Sequence, residues 1–178
     1  MIVGGGKVAY RKVMSLLETG AFITIVSKEI INEIRDIEDS RIKIYLKDYE
    51  DSDLIEKKYS LVIAATSDSS VNANISSLCN KMNIPVNVVD IPGLCSFFAP
   101  SIIKRGDLTI SISTDGKCPA FSKYLRKKLD KIIPLELDEI IAKTGEYRSE
   151  LIKMNIDEEE KKKLINSKIE EEIGKLKW

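Results

Sequence analysis

Val3-Gly4-Gly5-Gly6-Lys7-Val8-Ala9-Tyr10-Arg11-Lys12 opens the chain and decides its fold. The spacing Gly4-x-Gly6-x-x-Ala9 is the dinucleotide-binding form of a glycine loop. Gly4 permits a tight strand-to-helix turn. Gly6, without a Cβ, lets a pyrophosphate approach the backbone, and Ala9 allows close helix–strand packing. The following helix aims its first N–H groups and its positive dipole end at the phosphates. A structural turn would use glycines for the same backbone freedom, so the context matters. Val8, Val13, Leu16 and Leu17 make one apolar face of a helix that Gly20 stops, and Phe22-Ile23-Thr24-Ile25-Val26 is a β-branched buried strand. Loop, helix, glycine and strand in this order make a mononucleotide-binding half.

The alternation continues. A helix is predicted over about 7–19, a strand over 22–26, a short helix near 28–34 and a strand over 42–45. A helix over 51–57, a strand over 61–65, a helix over 69–82 capped by Asp68, and a strand over 86–89 follow. Strands alternating with helices predict a parallel sheet with right-handed crossovers in the order 3-2-1-4-5. Met1-Ile2-Val3 is short for a buried strand, which suggests further residues upstream. From Phe97 the pattern changes. Residues 97–104 and 108–113 read as two strands joined at Arg105-Gly106-Asp107, with Leu108, Ile110 and Ile112 on one face. Pro119 starts a helix to about Ile133, ended by Pro134. The remainder is helical and charged, with Glu158/Lys162 and Glu159/Lys163 pairs and an Ile165, Ile169, Ile173, Leu176 stripe. The predicted division is a Rossmann-type domain over 1–96, a hairpin and helix over 97–133, and a small helical domain over 134–178.

Lys plus Arg and Asp plus Glu both number 28 among 178 residues. Between residues 101 and 133, however, eight cations face three carboxylates. That segment suits an anionic small molecule, or a solvated helix face. Nothing points to a nucleic-acid partner. Cys79, Cys95 and Cys118 are few and far apart, so neither a disulfide framework nor a zinc site is indicated. No apolar run is long enough to span a bilayer, and a cytoplasmic protein is expected. Histidine is absent, which excludes Ser-His-Asp and Cys-His catalysis and histidine-ligated metals. Acid–base work falls to Asp, Glu, Lys, Tyr or Cys.

In an open parallel sheet, ligands bind outside the carboxyl ends of the strands. The glycine loop, Ala65-Thr66-Ser67-Asp68 and Asn87-Val88-Val89-Asp90 all lie there. Asp90 on that rim can act as a general base, or it can cap the turn Ile91-Pro92-Gly93. Strand two ends Val26-Ser27-Lys28 with Glu29 one step late. It lacks the usual acid for the ribose 2′-hydroxyl, and Lys28 keeps a 2′-phosphate, hence NADP, open.

Together these segments resemble the precorrin-2 dehydrogenase family, the siroheme-synthase N-terminal module. The likeness runs through the glycine loop, Gly20-Ala21, Val26-Ser27, Leu61-Val62-Ile63-Ala64-Ala65-Thr66 with Asp68 and Asn72, and Asn87-Val88-Val89-Asp90. It continues through Cys95-Ser96-Phe97, Pro100, Arg105-Gly106-Asp107-Leu108-Thr109-Ile110, Ile112-Ser113-Thr114, Gly116-Lys117-Cys118-Pro119 and Leu125-Arg126. It covers roughly residues 2–130. The resemblance implies a Rossmann domain, a dimerisation hairpin exchanged between subunits, and a small helical domain. It implies NAD-dependent oxidation of precorrin-2 to sirohydrochlorin and a homodimer. Some members also insert Fe²⁺, which is the alternative reading. A non-catalytic NAD-sensing regulatory domain is a further one, although such domains usually end strand two with an acid. Carried over, the base is Asp90. The nucleotide contacts are Gly4, Gly6, Lys7, Val8, Ser27, Lys28 and Glu29, joined by Thr66 on the rim. The pocket serine is Ser113, with Asn87 beside the substrate. Lys104, Arg105, Lys117 and Arg126 are candidates for the carboxylates of a polyanionic tetrapyrrole. No resident metal site is implied.

Overall fold

A computed structural model describes residues 1–176. The chain divides into two compact units, Met1–Ala99 and a second from Pro100 onward.

The first unit is a five-stranded parallel sheet in the order β3-β2-β1-β4-β5, as the alternation predicts. The strands are β1 (Ile2–Val3), β2 (Ile23–Ser27), β3 (Ile42–Leu46), β4 (Val62–Ala64) and β5 (Val86–Val88). Short as it is, β1 is the central strand. Ile2 lies between Ile25 and Ile63, and Val3 between Val26 and Ala64. Both side chains are buried, and full burial of each stabilises by about 1.5–3 kcal/mol.

Side-chain alternation gives the sheet two apolar faces. Ile2, Ile25 and Ile63 pack against Ala9 and Val13 of α1 (Lys7–Leu17) and Ile34 of α2 (Asn32–Arg35). Val3, Val26, Val62, Ala64, Val86 and Val88 pack on the other face. Their partners are Leu54 of α3 (Asp51–Ile55) and Ile75 and Cys79 of α4 (Ser69–Lys81).

Several boundaries differ from expectation for physical reasons. Helix α1 stops at Leu17, where the Thr19 hydroxyl donates to the Leu16 carbonyl at 2.7 Å and Gly20 takes a φ of +77°. Phe22 is exposed and precedes β2 rather than opening it. Helix α2 begins only at Asn32, because Ile31 N–H donates to the Gly5 carbonyl at 2.9 Å and ties the preceding loop to the glycine turn. Asp68 caps α4 as predicted, accepting from the N–H groups of Ser70 and Val71.

In the second unit β6 (Ser101–Arg105) and β7 (Leu108–Ile112) form an antiparallel hairpin turned at Gly106-Asp107. The first hairpin strand starts at Ser101, not at Phe97, because Pro100 has no N–H for a ladder. Leu108, Ile110 and Ile112 are partly covered while Thr109 and Ser111 are exposed, the predicted alternation. Helix α5 (Pro119–Ile132) packs on both strands. The tail forms α6 (Leu137–Lys153) and α7 (Glu158–Ile173), which pack together with the predicted isoleucine stripe half-buried. Glu159 pairs with Lys163 as expected, whereas Glu158 pairs with Lys161 instead of Lys162.

Candidate functional site

The glycine loop crosses the carboxyl end of the central strand. Gly4 has a φ of +121°, and its N–H donates to the Val26 carbonyl at 2.9 Å. A Cβ at Gly4 would collide with the Ala65 carbonyl group, and one at Gly5 would collide with the Glu29 carbonyl and the Ile30 Cα. The two glycines therefore allow the segments after β4 and β2 to close on the loop from opposite sides. Gly6 differs. A Cβ there would meet nothing within 4 Å.

That open space lies at the start of α1. Gly6 is the N-cap residue and has no side-chain cap, and the first bond back to it is Tyr10 N–H to the Gly6 carbonyl at 3.0 Å. The N–H groups of Lys7, Val8 and Ala9 thus precede the helix's own hydrogen-bond ladder. Bare helix N–H groups beside a position without a Cβ fit the pyrophosphate of a dinucleotide. Gly4, Gly6, Lys7 and Val8 are brought together there as the sequence suggests.

The segment after β2 forms the next wall. The Ser27 hydroxyl donates to the Glu29 carbonyl at 2.7 Å, leaving its lone pairs as acceptors. Lys28 Nζ lies 2.9 Å from Asp48 Oδ1, and this contact raises the lysine's pKa. Both side chains are exposed. Asp48, just beyond β3, had no place in the sequence reading. Its link to Lys28 is long-range and leaves no local pattern.

Thr66 forms the opposite wall. Its N–H donates to Asn72 Oδ1 at 3.3 Å, and its carbonyl accepts from Asn72 Nδ2 at 3.0 Å. Asn72 is buried, which fixes the rim after β4 on the body of α4. Ser70, through its hydroxyl and N–H, and the N–H of Val71 hold the Asp68 carboxyl below its usual range.

Asp90 follows β5 on the same strand-end rim and has a φ of +61°. The left-handed region is strained for a residue with a Cβ, and such strain concentrates at functional positions. Asp90 is exposed, and among the described residues no hydrogen bond or ion pair to its carboxylate is found. The turn after it is held by backbone bonds, Ile91 N–H to the Val88 carbonyl and Leu94 N–H to the Ile91 carbonyl. The Asp90 side chain is not the cap of that turn.

Asn87 sits one step back on the sheet face rather than on the rim. Its Nδ2 donates to the Phe97 carbonyl at 3.1 Å. With Lys12, Ser15, Leu16, Leu61, Ile63, Phe97 and Ala99 it lines a cavity of about 70 Å³. Burial, then the neighbouring Arg11, lower the pKa of Lys12.

The remaining named residues belong to the second unit. Arg105 has another task there. Its side chain is only 9% exposed. Its guanidinium donates to the Asp130 carbonyl at 2.7 Å, the Ile133 carbonyl at 3.1 Å, Asp130 Oδ1 at 3.1 Å and the Lys104 carbonyl at 2.8 Å. It satisfies carbonyls at the end of α5. Arg126 reaches Asp130 at 3.5 Å. The Ser113 hydroxyl accepts from Asp115 N–H at 3.1 Å in a tight turn before α5, and Lys117 is exposed. Among the described residues no cluster of three or more His, Cys, Asp or Glu could hold a metal ion. No described helix is long and apolar enough to cross a membrane.

Comparison with known proteins agrees with this geometry. A family model described as "Putative NAD(P)-binding" matches residues 1–101, and one described as "Sirohaem biosynthesis protein central" matches residues 105–132. The siroheme synthase of Ruthia magnifica is 37% identical over 152 residues, covering 85% of this chain and 32% of that protein. The siroheme synthase of Psychrobacter cryohalolentis is 38% identical over 152 residues, covering 85% of this chain and 29% of that protein. The chain thus spans about a third of the length of these relatives. The solved structure of SirC, a precorrin-2 dehydrogenase, superposes with a TM-score of 0.74 at 25% identity, covering 93% of this chain and 81% of that one. The chain belongs to the NAD(P)-binding family, in the branch that carries the sirohaem-biosynthesis central segment.

Proposed function

We propose that this protein is an NAD-dependent dehydrogenase that oxidises precorrin-2 to sirohydrochlorin, with Asp90 as the general base. The observation that carries the reading is the pairing of a bare-glycine, uncapped helix start with a strained, unpaired carboxylate on one strand-end rim. The names of the relatives, siroheme synthase and precorrin-2 dehydrogenase, support the substrate.

NAD⁺ supplies the hydride acceptor when bound. The N–H groups of Lys7 and Val8 hold the pyrophosphate, and the absent Cβ at Gly6 admits it. Thr66, fixed by Asn72, would bound the cofactor on the β4 side of the loop. Asp90 Oδ takes the proton released as the hydride leaves the tetrapyrrole. With no internal partner, that carboxylate is free to receive it. Lys117 and Arg126 carry charge that suits the substrate's carboxylates. Arg105 positions α5 instead of binding substrate directly. The β6–β7 hairpin is a two-stranded sheet, a form marginal by itself, and pairing its free edges with a second copy supports a homodimer.

The test is direct. Protein mixed with precorrin-2 and NAD⁺ generates NADH absorbance and the sirohydrochlorin spectrum together. Sirohydrochlorin without NADH, or neither signal, overturns the reading. The relatives' name also favours a second activity, insertion of Fe²⁺ as a substrate into sirohydrochlorin. Siroheme formation no faster than the spontaneous rate removes it.

A further inference from the structure

Beside Lys28, a candidate nucleotide contact after β2, the end of β3 carries charges that the dinucleotide reading leaves unused. Lys28 lies where a Rossmann domain meets the adenosine ribose. The glycine loop fixes this placement, since Ile31 N–H donates to the Gly5 carbonyl and Gly5 abuts Glu29 and Ile30. A lysine there would ordinarily attract a 2′-phosphate. Here its Nζ lies 2.9 Å from Asp48 Oδ1. The backbone makes this pair possible. Lys47 N–H donates to the Ser27 carbonyl at 3.0 Å, so the residue after Lys47 emerges beside the residue after Ser27. The second cation of this edge, Lys47, is likewise occupied, at 2.8 Å from Asp53 and 3.3 Å from Glu50. Lys57, whose Nζ donates to Tyr45 Oη of β3 at 3.3 Å, also feels Asp53, so three lysines meet four carboxylates, counting Glu29, and the edge stays acidic in balance.

We propose that Asp48 is a specificity-determining residue that selects NAD over NADP by occupying Lys28. Most NAD-selective Rossmann domains place an acid at the end of the second strand to receive the ribose hydroxyls. In this chain that strand ends in Ser27, and the acid comes from the next strand through a lysine. An unmodified ribose meets Ser27 and a neutral pair. A 2′-phosphate meets a cation already engaged, at an edge where carboxylates outnumber lysines. The pair is exposed and contributes little to stability. Its effect is on the local field that the nucleotide meets. The proposal rests on the dinucleotide reading above.

Calorimetric titration of NAD⁺ and NADP⁺ into wild type, Asp48→Asn and Asp48→Asn/Lys28→Ala tests it without a turnover assay. In Asp48→Asn the NADP⁺ Kd falls about fivefold at low salt, the effect of freeing one cation in high dielectric, while the NAD⁺ Kd moves less than about twofold. The added Lys28→Ala cancels the gain, and raised salt shrinks it. An unchanged NADP⁺ Kd in Asp48→Asn overturns the proposal. So does a weakening of NAD⁺ binding larger than any gain for NADP⁺, because Asp48 would then hold the ribose itself. Wild type that is folded yet binds neither nucleotide defeats the dinucleotide reading as well, and separates that failure from the failure of Asp48 alone.

Discussion

The Asn72 side chain grips the backbone of Thr66 from both sides, accepting from its N–H at 3.3 Å and donating to its carbonyl at 3.0 Å. The Thr66 hydroxyl also lies 2.8 Å from Asn72 Oδ1. One buried amide on α4 therefore sets the position of the rim after β4, the wall facing the glycine loop.

Asn72→Leu keeps the forked outline of the side chain but orphans the Thr66 N–H and carbonyl. A loss of about 1–3 kcal/mol follows, with a weaker NAD⁺ Kd because the rim loosens. Chemical denaturation and nucleotide titration on the same variant check both. Unchanged NAD⁺ affinity in a destabilised variant would separate the clamp from the cofactor site.

Gly4 and Gly6 fail in opposite ways. At Gly4 an added Cβ meets the Ala65 backbone in a left-handed conformation, so Gly4→Ala costs several kcal/mol, at least about 3, and lowers folded yield. At Gly6 the space is open. Gly6→Ala costs no more than about 1 kcal/mol as an N-cap change, yet NAD⁺ affinity drops at least about tenfold because the Cβ takes the pyrophosphate's space. Melting curves paired with nucleotide titration distinguish the two.

Asp90→Gly relieves the positive φ and stabilises the fold by about 1 kcal/mol, while precorrin-2 oxidation falls to background. NAD⁺ binding persists. Near-wild-type turnover in Asp90→Ala or Asp90→Gly would remove Asp90 as base.

Arg105→Ala leaves the Asp130 and Ile133 carbonyls at the end of α5 without their donor. A cost of about 2–3 kcal/mol is expected, and Arg105→Lys rescues little because one ammonium cannot span acceptors set for a planar fork. Substrate KM measured below the melting transition changes little. A large KM rise without loss of stability would return Arg105 to the substrate site.

Helix α7 and the turn before β3 lose ion-pair support in acid. Lys175 and Lys168 hold the Glu172 carboxyl at about 2, below its usual 4.5, and Arg41 likewise holds Asp39 at about 2, below 3.8. Both folded carboxyls bind protons less tightly than their unfolded counterparts. Their contribution is complete above about pH 4.5 and is lost as pH falls toward 2. Thermal melts of wild type and Glu172→Gln across that range should converge at the acid end, and parallel curves would contradict the assignment.

Hydrophobic periodicity and turn glycines specify the order of elements, the parallel sheet and its 3-2-1-4-5 arrangement, because each strand and helix declares its buried face within a few residues. The Gly4-x-Gly6 spacing likewise marked the turn at the carboxyl end of β1, and the strand ends marked Asp90 as a rim residue. What local sequence could not carry is the destination of each polar group. Arg105 looked like a substrate cation, but Asp130 and Ile133, more than twenty positions away, take its hydrogen bonds. Lys28 looked open to a phosphate until β3 delivered Asp48 beside it. Gly5 looked like the variable position of its motif until the chain after β2 came to rest against it. Asp90's left-handed backbone is likewise a property of the closed turn and not of any residue pattern. Apolar burial follows from spacing along the chain, whereas hydrogen bonds, ion pairs and steric limits between distant segments exist only once folding has brought those segments within a few ångströms.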